Sequence, residues 1–180
     1  MLYIEVPLEN EKWDENKQEF IEPKKQILQL EHSLVSLSKW ESKWCKPFLS
    51  SSKTDEEILD YIKCMTVSQN VNPVIYNYLT DSNIQEIVDY INAPMTATTF
   101  YNGQKTKTNR EIVTADLIYY WMISLQIPFE CQKWHLNRLL TLIRVCDIKN
   151  TPPKKRSRNE IAAEYARINA ARRQQYNTKG

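Results

Sequence analysis

Cys131 and His135 are the residues of this 180-residue chain best spaced for chemistry. Four positions apart, they would share one face of a helix and supply half of a metal site. With the histidine as base, the same pair suggests a thiol nucleophile. Both readings need more than the pair. A closed zinc site takes four ligands, and Cys45, Cys64, Cys146 and His32 include no second pair at ligand spacing. A cysteine nucleophile needs its base across a cleft, oriented by a third group. The expectation is therefore packed thiols and hydrogen-bonded histidines, with no catalytic residue, no metal site and no cofactor site. Asp55-Glu56-Glu57 look like an acid cluster, but at a helix start they complement the helix dipole. Trp121 and Trp134 flank Ile127-Pro128 and could line an aromatic pocket, although core packing is the ordinary use of such rings. Only two glycines occur, which argues against loops that bring backbone amides up to a phosphate.

Composition sets the frame. An apolar content of 42% supports a real core, and 26% charged residues is ordinary for a soluble protein. The net charge of +2 is unevenly spread. Residues 151–180 hold eight Lys/Arg against two Glu, a net of +6, whereas residues 1–150 hold sixteen against twenty, a net of −4. An acidic body thus carries a basic tail. No Cys-x-x-Cys pair occurs, and Met1-Leu2-Tyr3-Ile4-Glu5 lacks the basic start and apolar core of a secretory leader. The expectation is a cytosolic protein with four reduced, mostly buried thiols. Ile112 to Phe129 is interrupted by Thr114, Asp116, Ser124 and Gln126, so no membrane span is expected.

The elements that must position these residues divide into three parts. Residues 1–31 form a strand-like arm: Leu2–Val6, Glu19–Glu22 and Gln26–Glu31, punctuated by Pro7 and Pro23. Residues 32–150 form a helical core domain. Ser33 opens a helix through Trp44, with Leu34, Leu37, Trp40 and Trp44 on one face. Thr54 with Glu57 is a capping box for the next. Pro73 opens a short helix, and Ser82 with Gln85 offers a cap for another that ends before Ala93-Pro94. Met95–Phe100 reads as irregular or strand-like, and Tyr101–Lys107 as a polar loop. Thr108 with Glu111 predicts a helix over about 110–126, apolar around most of its circumference and hence central. Pro128 then predicts a continuous helix from Phe129 to Ile148. Residues 151–180 are a Pro-Pro-Lys-Lys-Arg linker and a last helix to about Gln175, opened by Ser157 and Glu160. The fold class is mainly α: a compact helical domain with a short N-terminal β-hairpin or arm and a C-terminal basic helix.

The tail is the segment with a functional shape. Ile161, Tyr165 and Ile168 recur at four and three, which makes a thin apolar row on one helix face. Arg167, Arg172 and Arg173 stand around it. A lone helix of about 18 residues is marginal in water, so docking on a partner protein by the helix-in-groove mode is the leading reading. Packing on the acidic body, or solvated disorder, comes second. Nucleic-acid binding comes third, because the tail lacks the interleaved aromatics of single-strand binders.

The runs Glu31–Trp44, Met95–Phe100 and Tyr119–Cys146, with Pro152-Pro153-Lys154-Lys155, resemble a family of small proteins of long-tailed bacteriophages, the tail assembly chaperones. The resemblance covers nearly the whole chain. It implies a mainly helical, non-enzymatic protein of the host cytoplasm that holds the tape measure protein soluble. It also implies recruitment of major tail tube subunits and absence from the finished particle. It supplies no catalytic residue. The strand-like arm exceeds what a minimal helical chaperone needs, which keeps open a structural role as a connector or tail terminator. Self-association is left open as well.

Overall fold

A computed structural model describes residues 1–8, 12–14 and 19–21 (backbone), 25–100, 111–151 and 157–177. The architecture is mainly helical with a short antiparallel hairpin at the start. In the hairpin, β1 (Leu2–Pro7) pairs with β4 (Lys25–Leu30), with Leu2 opposite Leu30 and Pro7 opposite Lys25. Between them in the chain, β2 (Lys12–Asp14) pairs with β3 (Glu19–Ile21). Alternation explains the placement. Ile4 and Val6 on β1 and Leu28 and Leu30 on β4 turn one face inward and are buried, while Tyr3 and Ile27 on the other face are exposed. Lys12–Asp14 carries no alternation long enough to announce a strand, and it goes unmarked in the sequence patterning.

Local chemistry starts the first helices. Ser33 caps α1 (Leu34–Trp44): its hydroxyl accepts from the Ser36 N–H, and the Ser36 hydroxyl accepts from the Ser33 N–H. The helix ends at Trp44, as its spacing predicts, with Cys45 turning left-handed at φ 51°. Thr54 and Glu57 form the predicted capping box of α2 (Asp55–Met65). A 3₁₀ turn, Pro73–Tyr78, follows. Then α3 (Asp81–Asn92) is capped by Thr80 and Asn83, not by Ser82 and Gln85. The choice is tertiary: the Asn83 amide also donates to the Glu5 carbonyl of β1 at 3.2 Å.

Two helices differ from expectation. α4 (Ala115–Ser124) starts later than 110, with residues 111–114 non-helical and Thr114 as the cap. Its first N–H, from Ala115, donates to the Glu41 carboxylate of α1 at 2.7 Å. The other oxygen of that carboxylate accepts the Phe48 N–H at 2.7 Å. Thr108 lies outside the described residues, as does the 101–107 segment. α4 ends in a Schellman turn: Gln126 sits at φ 56°, its N–H reaches the Ile123 carbonyl, and Ile127 N–H reaches the Met122 carbonyl.

The expected continuous helix from Phe129 to Ile148 does not form. Phe129–Lys133 is a 3₁₀ turn, and α5 spans Leu136–Asn150. The break has a physical cause. Leu136 N–H donates to the His32 carbonyl at 2.7 Å, and Ser33 and His135 form a β-bridge. An amide committed across the fold cannot also close a helical turn. The last helix, α6, spans Arg158–Tyr176, with the Ser157 carbonyl accepting the Ile161 N–H.

The chain forms two compact units, Met1–Asp147 and Ile148–Gly180. The strand pair belongs to the first. Ile4, Val6, Leu28 and Leu30 join Leu34, Leu37 and Trp40 of α1, Ile62 and Met65 of α2, Ile118 and Met122 of α4, and Leu136 and Leu139 of α5 in one core. Trp40 is its largest buried side chain: it meets the Phe48 ring edge-on at 5.0 Å and donates its indole N–H to the Glu57 carbonyl at 2.8 Å. The Glu57 carboxylate is buried too, paired with Lys46 and held below the usual carboxylate range by that ammonium and by the Thr54 N–H. Among the described residues, no helix is long and apolar enough to cross a membrane.

Candidate partner-binding surfaces

The residues singled out for chemistry are placed by the core. His135 is the residue before α5, while Cys131 lies in the 3₁₀ turn, so the two do not share a helix face. His135 instead meets His32, the chain's other histidine, with ring centres 5.1 Å apart. His32 Nδ1 is 2.6 Å from the Tyr61 hydroxyl of α2. His135 Nε2 is 2.9 Å from the Tyr90 carbonyl of α3, and the Tyr90 hydroxyl donates to Glu31 at 2.6 Å. One polar cluster therefore joins the β4–α1 junction, α2, α3 and the start of α5. Burial, with the His135 ring beside it, drives His32 down to about 3. Burial also lowers His135. Neutral, hydrogen-bonded imidazoles in this setting hold elements together.

The thiols are free and less buried than expected. Cys131 alone is buried, Cys64 and Cys146 are half-buried, and Cys45 is exposed. Burial raises the Cys131 and Cys64 thiols above the ordinary cysteine value. Among the described residues, no group of three or more His, Cys, Asp or Glu is placed to hold a metal ion. The carboxylates at 55–57 serve the start of α2. Trp134 is half-buried under the Arg138 guanidinium, 4.0 Å from the ring centre. Trp121 lines a groove of about 380 Å³ between α4 and α5, together with Leu125, Leu140, Ile143 and Arg144.

Among the described residues, two exposed apolar surfaces lie on helices with a bearing on partners. The first is the row on α6, where every described side chain is exposed. Ile161, Tyr165 and Ile168 are 40%, 63% and 39% accessible. At 3.6 residues per turn Arg172 continues this row, while Arg167 and Arg173 stand roughly 100° or more around the helix from it, one on each side. The spacing that marks this face in the sequence is also the spacing of the observed helix.

The second surface is where the sequence expectation fails. α4 buries Ala115, Ile118 and Met122 but is not central. Its outer face leaves Tyr120 62% and Ile123 61% accessible, and Phe129 of the following turn is 53% accessible. Half-buried Tyr119 connects them, with its ring 6.5 Å from that of Phe129 and its hydroxyl donating to Gln132 at 2.9 Å. Exposed Asp116, Glu130 and Lys133 border the patch. The only sequence signal was the excess itself: a helix apolar on all sides has more face than one core contact covers.

Comparison with known proteins found no matching family model, no curated relative and no similar solved structure.

Proposed function

We propose that this protein is a non-enzymatic tail assembly chaperone of a long-tailed bacteriophage, acting in the host cytoplasm by protein–protein contact. The observation that carries the reading is α6, a 19-residue helix whose apolar row and arginines face solvent. The resemblance of the long runs around Trp40, Tyr119–Cys146 and Pro152-Pro153 supplies the client: the tape measure protein, with major tail tube subunits recruited around it.

The mechanism follows from the side chains. Ile161, Tyr165 and Ile168 lie against an apolar stripe of a client helix, and Arg167, Arg172 and Arg173 pair with its acidic neighbours. Each apolar side chain is already partly covered, so each contributes on the order of 1 kcal/mol on docking. Contacts this weak release readily, which suits a protein absent from the finished particle. Co-expression tests the idea: the full chain should keep the tape measure protein soluble, and a chain lacking residues 151–180 should not. Undiminished solubilisation by the shortened chain would sink the role of α6.

The rival reading, a structural component of the virion, drew on the strand-like arm as a feature without a chaperone use. That motive weakens, because the inner faces of β1 and β4 are built into the core. Stoichiometric presence of the protein in purified particles, measured by mass spectrometry, would restore the rival.

A further inference from the structure

The two open apolar surfaces are complementary in sign. Over Arg158–Tyr176, α6 carries Arg158, Arg167, Arg172 and Arg173 against Glu160 and Glu164, with both acidic residues in its first half, so the half beyond Tyr165 is the basic one. The α4 patch is bordered by Asp116 and Glu130 against Lys133, with exposed Glu111 just before the helix. Each surface presents three large side chains: Ile161, Tyr165 and Ile168 on one, Tyr120, Ile123 and Phe129 on the other. A helix that is marginal by itself and a patch too apolar to sit comfortably in water occur in the same chain, hence at equal concentration.

We propose that α6 of one copy of this chain docks on the Tyr120–Ile123–Phe129 face of a second copy. The row covers the patch, and Arg172, in line with the row, meets the acidic rim of Asp116 and Glu130. The contact is heterologous, since a helix on one chain meets a different surface on the next. It closes if two chains exchange helices reciprocally or if the rotation between neighbours completes a ring, and otherwise it runs on into an open chain of subunits. It does not rest on the tape measure reading. If that reading holds, self-association and client capture compete for the same α6 row, and free protein keeps the row covered until a client displaces it.

Sedimentation velocity on the full chain across a concentration series tests this with two surface variants, Ile123→Asp on the α4 face and Tyr165→Asp on α6. The wild type should self-associate, more weakly at high salt because the rims are charged. Each variant should associate at least about tenfold more weakly. Mixing them should restore a complex, because the intact α6 of the first fits the intact face of the second. Far-UV circular dichroism checks that both variants are folded, and the charge reversal Glu130→Lys, rescued by Arg172→Glu, provides a second route. A wild type that stays monomeric at all concentrations would overturn the proposal in favour of docking within one chain. A Tyr165→Asp variant that associates normally would overturn it in favour of a symmetric face-to-face dimer, and a mixture that fails to associate would overturn it outright.

Discussion

α1 and α6 carry apolar residues at the same kind of spacing: Leu34, Leu37 and Trp40 on one, Ile161, Tyr165 and Ile168 on the other. On α1 all three are fully buried, whereas on α6 all three are open to water. The difference lies in what surrounds them. α1 is enclosed by the inner face of the hairpin, by α2 and by α4, and its Glu41 carboxylate fastens the Phe48 segment and the start of α4. α6 belongs to a separate compact unit with no enclosing layer of its own. Helical periodicity says that a face wants cover. It does not say whether the cover comes from the same unit.

The sharpest way to break this comparison is inside α1. Trp40→Ala should cost about 3–5 kcal/mol, through a cavity and the loss of the bond to the Glu57 carbonyl. Urea unfolding followed by circular dichroism measures it. A loss below about 1 kcal/mol would place α1 with the loosely held elements.

An intermediate effect should come from acid. His32 titrates near 6.5 when unfolded but only at about 3 in the folded chain. Between those values the unfolded chain binds the extra proton. The stability is therefore complete above pH 6.5 and is lost as pH falls toward 3. From pH 7 to pH 5 this side chain accounts for a loss of about 2 kcal/mol, and His135, also lowered by burial, acts in the same direction. His32→Gln should flatten that part of the pH profile even if it lowers the stability as a whole. An unchanged slope would mean that the histidine pair is not sealed from water.

The smallest effect belongs to the tail. Replacing Ile161, Tyr165 and Ile168 together by Ser should move the unfolding of the body by less than about 0.5 kcal/mol. The same triple change should abolish client solubilisation. A large loss of body stability would show that the row is part of the core after all.

Much of the fold was legible because its causes are local. Ser33, Thr54 and Glu57 satisfy free amides within one turn of their own position, and no distant residue need be known to predict them. The short strand-like runs Leu2–Val6, Glu19–Glu22 and Gln26–Glu31, punctuated by Pro7 and Pro23, marked three of the strands for the same reason. The α6 row was legible too, as spacing along a helix that the structure shows with those side chains exposed. The errors fall where a distant group decides. Asn83 outcompeted Gln85 as a capping partner through its contact with Glu5, and the start of α4 was set by the Glu41 carboxylate. The apolar pattern of α4 predicts a central helix, yet its outer face is exposed, because amino-acid type records that a side chain is apolar, not how many neighbours arrive to cover it.

By itself, then, the sequence determined the helical class, the caps of α1 and α2, the main hairpin strands and the basic tail helix, since each depends on residues within a turn or a strand of one another. Tertiary structure alone decided three things. It brought His32 and His135, more than a hundred positions apart, into one buried polar cluster with Tyr61 and Tyr90. It broke the expected helix after Lys133 by giving the Leu136 amide to the His32 carbonyl. It also left Tyr120, Ile123 and Phe129 in water. In each case a hydrogen bond or a packing surface is claimed by a partner remote in the chain, and the free energy of that contact outweighs local preference.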